Sequence, residues 1–321
     1  MKFTLPAFLQ PKPALWTAVD TGVAGELLVV SVRSLAGGRP QVLYAGQAPC
    51  AGWDPAPLGA LLEARVDTTG RTVAVLSRGD YQIMLMQRPP VPAAELARSV
   101  RWAVASQVDF AVDDAVIVNM AVPTPSGLAS APAAETAASD LYVVAAQARS
   151  ILAAAQAFKA ARHTLDAVDV RETAQRNMAA LLEQGDECLC LLRVTQLGAQ
   201  LTFTHRGELY LDRFIAQPRA ALQAAEAFEK SRIVERMAQQ AQLSIAHIKE
   251  RHPQMAVNRV VLCPLPSSLD MQAPLQQHLS LPVEALDLAD VLDLTAAPQL
   301  ASAETQARYF TALGAALRGR V

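Results

Sequence analysis

The chain has 321 residues, 52% hydrophobic and 18% charged, with 28 basic against 30 acidic side chains and a formal net charge of -2. That length predicts about two domains with full cores, and the balanced charge excludes a bulk electrostatic case for nucleic acid. No apolar run reaches the roughly 18 residues a membrane span needs, and residues 1–13 are too broken by proline for a secretory signal. The protein is therefore read as cytoplasmic, with residues 1–13 a flexible lead-in and docking onto a membrane complex left open. Cys50, Cys188, Cys190 and Cys263 are too few and too scattered for a disulfide framework. They are read as core thiols, with no metal site assigned.

The first recognisable unit is a hairpin. An apolar run over 15–19 leads into Asp20, Thr21 and Gly22, and a second run over 27–32 follows a short Gly-containing turn. A carboxylate at such a turn can hold hydrated Mg²⁺ beside backbone N–H groups, although Asp, Thr and Gly also suit a plain turn. A third strand over 41–44, a helix over 58–64 carrying Leu58, Leu61 and Leu62 on one face, and a strand over 72–76 complete an α/β layer.

Residues 82–87 are read as a strand, broken by a proline-rich segment at 88–92. A helix over 93–108 carries Leu96, Val100, Ala103 and Val104 on one face. Strands at 115–122 and 141–146 flank a Pro/Ser/Ala/Gly-rich loop at 123–139, and an alanine-rich helix spans 149–162. Together these form an insert at about 80–163. A strand at 165–170 and a helix at 171–182 lead to a polar boundary at 184–187. A second three-strand meander follows at 188–194, 200–204 and 209–215. After it come a long helix over 219–250, a strand at 259–262, helical residues 269–279, an edge strand at 283–286 and a last helix at 304–317. The second half thus repeats the layout of the first, and the natural cleft lies between them.

Several segments carry a family resemblance. Arg88-Pro89-Pro90-Val91-Pro92-Ala93-Ala94-Glu95-Leu96 continues through Val100-Arg101-Trp102 to Val108-Asp109-Phe110. It resembles the proline and acidic-helix segment that opens the inserted subdomain of the PilM family of type IV pilus assembly proteins. The likeness is nearest to the branch of mannose-sensitive haemagglutinin (MSHA) pilus biogenesis, MshI. Ala312-Leu313-Gly314-Ala315-Ala316-Leu317-Arg318 resembles the family's terminal helix. The resemblance implies an α/β, two-lobed actin/Hsp70-like (duplicated ribonuclease H-like) fold. Residues 14–184 would form the first lobe with its insert and 185–321 the second. It also implies ATP and Mg²⁺ between the lobes in family members, and as partner the cytoplasmic N-terminal tail of a PilN-like inner-membrane protein. The pilus assembly ATPase is a second candidate partner.

The nucleotide motifs of that family transfer badly. Asp20 and Gly22 match its first phosphate loop, but Val23, Ala24 and Gly25 stand at the serine-rich positions and Leu27 where lysine is expected. The second acidic loop falls on Arg193-Val194-Thr195, and the adenosine-side glycine pair on Pro264-Leu265. Asp20, Thr21, Gly22 and Arg193 are thus expected to outline a vestigial nucleotide cleft, with no catalytic residue, no metal ligand and no cofactor assigned. An active Mg-dependent ATPase is the alternative. Arg193 has two readings, a direct phosphate neutraliser or a surface or lobe-bridging arginine. For the partner, Ile83, Leu85, Val100 and Trp102 are the candidate peptide-contacting residues; Trp102 reads equally as core.

Overall fold

The computed structural model describes residues 14–22, 25–35, 37–65, 67–123 and 140–318. The expected lead-in at 1–13, Val23 and Ala24 of the first loop, and residues 124–139 of the long loop lie outside the described residues.

The chain opens with a meander of β1 (Ala14–Asp20), β2 (Glu26–Ser34) and β3 (Gln41–Pro49), then α1 (Pro55–Glu63) and β4 (Arg71–Val75). After the insert come α3 (Ala148–Ala160), β8 (Ala167–Asp169) and α4 (Arg171–Ala179). The insert itself holds β5 (Tyr81–Gln87), α2 (Ala93–Val104), β6 (Ala115–Ala121) and β7 (Asp140–Gln147). The second meander is β9 (Leu189–Val194), β10 (Ala199–His205) and β11 (Glu208–Ile215). It is followed by α5 (Arg219–Ala224), α6 (Ala227–Arg251), β12 (Val260–Leu262), α7 (Gln272–His278), β13 (Val283–Ala285) and α8 (Ala303–Ala316).

The first sheet has the order β3-β2-β1-β4-β8 and the second β11-β10-β9-β12-β13. Each pairs its first three strands antiparallel and its last three parallel, so the two lobes are copies of one topology. The insert forms a separate antiparallel sheet, β5-β7-β6.

Both large sheets are covered on both faces, which is why their strands read as continuous apolar runs rather than alternating ones. In the first, Val19, Leu27 and Val29 pack with Leu58, Leu62 and Phe158 of α1 and α3, while Ala18, Val30 and Val73 pack with Phe310 and Leu313 of α8. In the second, Cys190, Leu192 and Phe203 pack with Met237 and Ala241 of α6, and Leu189 and Leu191 face inward. All four cysteines are free and buried, and burial pushes the Cys188 thiol up to about 12. Local signals start the helices: Asp54 accepts from Ala56 N–H at 2.9 Å ahead of Pro55 in α1, and Ser302 accepts from Thr305 N–H at 3.2 Å in α8.

Four features depart from the sequence reading. First, α3, grouped there with the insert, buries Ala154, Ala157 and Phe158 on the first sheet beside α1. Second, α8 belongs to residues 185–321 yet lies on β1, β2 and β4 of the first lobe and crosses α4, which itself touches β10 and β11. The crossing is close because residue 314 has no side chain: a Cβ on Gly314 would stand 2.2 Å from the Ala174 carbonyl oxygen. Third, α2 stops at Val104, since residues 105–107 are exposed and no apolar face holds a further turn. The expected helix at 219–250 likewise divides into α5 and α6, at Ala225 and Glu226 in extended conformation. Among the described residues no helix is long and apolar enough to cross a membrane.

Candidate functional site

The carboxyl ends of the parallel strands β1 and β9 meet across α4 and α8, where open α/β sheets place ligands. A cavity of about 250 Å³ lies there, and Asp20, Gly22, Arg78, Arg171, Arg193 and Arg219 are among its lining residues.

Asp20 ends β1 and is 2% exposed. Its Oδ1 accepts from Gly22 N–H at 3.0 Å and from Arg171 Nη2 at 3.0 Å. The first contact folds the loop back on itself, with Gly22 at a φ of 65° that suits glycine. The second is an ion pair with both side chains almost wholly out of water. Thr21 turns away, its hydroxyl 2.9 Å from that of Ser77. On the opposite turn, the Thr195 hydroxyl accepts from Leu197 N–H at 3.2 Å and Gly198 N–H at 3.3 Å. The glycine amide of one loop and these two amides of the other are therefore already bonded within their own loops.

Arg193 sits where the family resemblance expects a second carboxylate. It is 7% exposed, and its guanidinium lies 4.8 Å from the ring centre of Phe310 of α8. Among the described residues no carboxylate comes within 4.0 Å of it. Burial, and secondarily the like charge of Arg171, lower its pKa to about 10, so it stays protonated at neutral pH. Phe310 and the second sheet thus hold a lobe-bridging cation.

The polar helix α4 ties the cleft together. Glu172 accepts from Tyr81 Oη at 2.6 Å and Arg78 Nη1 at 3.3 Å, and Tyr81 Oη accepts from Arg171 N–H at 3.2 Å. Burial, with Glu172 beside it, raises the Tyr81 pKa well above the ordinary phenol value. Asn177 donates to the Gly314 carbonyl at 3.0 Å, and the Arg78 guanidinium stacks 3.7 Å from the Phe214 ring centre of β11. Asp212 of β11 accepts from Gln200 and Thr202, and Tyr142 of the insert takes the Asp212 N–H at 2.7 Å. Desolvation, and next the charge of Glu172, push the Asp212 carboxyl up to about 7.

Of the expected cleft residues, Asp20, Gly22 and Arg193 are brought together, while Thr21 stands behind them. Arg171, Arg78 and Arg219 were not anticipated. The available signal was α4 itself: in Arg-Glu-Thr-Ala-Gln-Arg-Asn-Met-Ala only Ala174, Met178 and Ala179 make a narrow apolar stripe, and the rest of the helix is polar. At the adenosine-side position, Leu265 is a core side chain of the second lobe. As arranged, the cleft does not fit a Mg²⁺-bound triphosphate, because its loop carboxylate is occupied by Arg171 and its second acid is a cation. Among the described residues no three His, Cys, Asp or Glu side chains converge as a metal site.

The expected partner-contacting residues do not converge. Val100 is fully buried between α2 and the insert sheet with Leu141 and Val143. Trp102 points away from that core and is 80% exposed, because α2 has only one covered face. Ile83 packs on the opposite sheet face, toward Tyr81 and Val144, and Leu85 is partly exposed. A groove of about 420 Å³ does run under that face. Val118, Met120, Tyr142 and Val144 of the insert line it together with Ile151 and Val168, and Arg176 and Arg318 lie at its rim.

No protein-family model matches the chain, and no curated protein sequence does. Solved structures do. A PilM-PilN type IV pilus biogenesis complex superposes with a TM-score of 0.69 at 18% identity, over 96% of this chain and 99% of the matched one. The cytoplasmic domain of EpsL, an inner-membrane component of the type II secretion system of Vibrio cholerae, matches with a TM-score of 0.48 at 10% identity, over 83% of this chain and 94% of that one. A Bacteroides thetaiotaomicron protein with an actin-like ATPase fold gives 0.47 at 7% identity, over 92% and 99%. With the duplicated sheet order, the full-length superposition establishes the two-lobed actin-like fold.

Proposed function

We propose that this protein is a non-catalytic actin-like scaffold of a type IV pilus assembly platform, of the MSHA type. It would bind the cytoplasmic tail of a PilN-like inner-membrane protein and be held at the cytoplasmic face of the membrane through it. One observation carries the loss of catalysis: the Asp20 carboxylate, which a metal-dependent member would use, is paired at 3.0 Å with buried Arg171. Phosphoryl transfer rests on placed metal ions and donors, and here the Asp20 carboxylate and the Gly22 amide are already bonded within the fold rather than left for a metal or a phosphate. The partner class is drawn from the PilM-PilN structure that this chain superposes on and from the MSHA-type resemblance of the 88–96 and 312–318 segments.

The groove beneath the insert sheet suits an extended, mainly apolar tail. Val118 is 56% exposed on β6, an edge strand of its sheet, so among the described residues both a side-chain pocket and a backbone edge are uncovered. Calorimetry of the purified chain with the tail peptide of its PilN-like partner should give a stoichiometric complex without nucleotide, unchanged by ATP and Mg²⁺. No binding, or binding only with ATP, defeats the reading. A Mg²⁺-dependent thermal shift with ATP that disappears in Asp20→Ala would support an ATPase instead.

A further inference from the structure

We propose that the insert is latched onto the second lobe by a proton-dependent junction, in which protonated Asp212 of β11 holds the insert closed and ionised Asp212 releases it. Neither Asp212 nor Tyr142 lines the interlobe cavity, and the junction requires no ligand or partner protein, so it stands or fails separately from the scaffold function.

Although the insert interrupts the first lobe in sequence, its sheet is docked on the second. Val122 and Tyr142 are buried in the core cluster of the second lobe, and Ile83 and Met120 pack against it. Three polar contacts close the seam. Tyr142 Oη accepts from Asp212 N–H at 2.7 Å, Arg251 of α6 reaches Asp140 of β7 at 2.6 Å, and Arg78 stacks on Phe214. Asp212 is half-buried at this seam, opposite Thr202 in the β10–β11 register. Its Oδ1 accepts from Gln200 Nε2 at 2.9 Å and Thr202 Oγ1 at 3.2 Å, both neutral donors. Among the described residues no basic side chain comes within 4.0 Å of its carboxylate. Arg78 is committed to Glu172 at 3.3 Å and offsets only part of the charge, while Arg213 turns to Gln240 of α6 at 3.3 Å. The acid that bears on Asp212 is Glu172 of α4, fully buried with Tyr81 and Arg78 as its partners.

A carboxyl in that setting binds its proton more tightly than one in water, because burial and a like charge both disfavour the ionised form. Parting β11 from the insert lets water solvate an ionised Asp212 and relieves its repulsion by Glu172. The closed junction therefore holds a proton that the open one releases. It weakens as pH rises and levels off above the folded-state value of about 7. Between pH 6 and pH 8 the ratio of closed to open forms should fall about tenfold. Tyr142 is also a wall of the groove beneath the insert sheet, so the same proton governs one side of that groove.

Hydrogen exchange of the unliganded full chain, followed by NMR at the Asp212 amide that Tyr142 accepts, tests the latch. Corrected for intrinsic rate, protection at Asp212 should be about tenfold lower at pH 8 than at pH 6. Because the opening is local, it should not respond to urea below the unfolding transition, whereas the amide of Leu191 in the central strand β9 should. Asp212→Asn should abolish the pH dependence. Tyr142→Phe keeps the ring and the carboxyl but removes the acceptor, and should lower Asp212 protection about 2- to 10-fold at both pH values, the range of one hydrogen bond. It keeps the test open if Asp212→Asn fails to fold. Equal protection at pH 6 and pH 8, the same pH dependence in Asp212→Asn, unaltered protection in Tyr142→Phe, or a urea dependence at Asp212 matching that of Leu191 would each overturn the proposal.

Discussion

Removing the charge of Asp20 separates a structural from a metal-binding role for the cleft carboxylate. In Asp20→Asn the hydrogen bond from Gly22 N–H can persist, but Arg171, whose side chain is 9% exposed against 2% for Asp20, loses its counter-ion. Arg171 then stands as a second uncompensated cation close to Arg193, whose proton it already disfavours. Breaking one side of a buried pair costs about 3–5 kcal/mol, and the like-charged neighbour places this case toward the upper end. At about 2 cal/mol/K of unfolding entropy per residue over 321 residues, that loss lowers the melting temperature by roughly 5–8 °C. Thermal and urea unfolding of the protein without added nucleotide or metal is the assay. The double variant Asp20→Leu/Arg171→Met replaces both charges by apolar groups and should be far less destabilised than the sum of the single variants Asp20→Leu and Arg171→Met. If Asp20 instead waits for a metal, Asp20→Asn leaves the unliganded protein as stable as the parent or more so. An unchanged melting temperature, or additive single and double variants, would refute the structural role.

Gly314→Ala places a Cβ against the Ala174 carbonyl at the α4–α8 crossing, so it should destabilise by about 1–3 kcal/mol in denaturant titration despite the higher helix propensity of alanine. Trp102→Ala should leave stability within about 0.5 kcal/mol and leave tail binding intact, since Trp102 touches neither the insert core nor the groove. Val118→Glu should keep the fold and weaken tail binding in the same calorimetric assay. Asp212 gives a pH signature. Its folded-state pKa, about 7, lies above the ordinary carboxyl value of 3.8, so between those values the folded state holds a proton that the unfolded state has released. Stability should therefore fall as pH rises from about 4 to 7 and level off above. The slope should flatten in Asp212→Asn, read from melting temperatures across that range; an unaltered profile would reject the assignment. Glu172, Arg78 and Tyr142 surround the group and should remain in place in that variant.

The amino-acid sequence by itself determined the local and repetitive part of this protein. Apolar runs over 15–19 and 27–32, and again over 188–194 and 200–204, specify buried strands, because a sheet covered on both faces needs side chains apolar on both sides. Asp54 with Pro55 and Ser302 with Glu304 mark helix starts through backbone groups that only a nearby side chain can satisfy. The departures at Leu27 and Arg193 from the phosphate-loop pattern of the resembled family were likewise visible in the sequence, since a lysine or carboxylate either stands at a position or does not. Tertiary structure alone decided which partner each charge has. Arg171 lies 151 positions from Asp20 and Tyr142 lies 70 from Asp212, separations at which no periodicity or spacing rule operates. It also decided that α8 returns to the first lobe and that α4 is buried though polar. Those outcomes follow from the packing of two sheets around one helix pair, where Gly314 permits the close crossing and desolvation makes every unpaired charge expensive. Asp20, read from the sequence as the remnant of a phosphate loop, became one half of a buried ion pair for that reason: the fold placed a cation beside it before any ligand could.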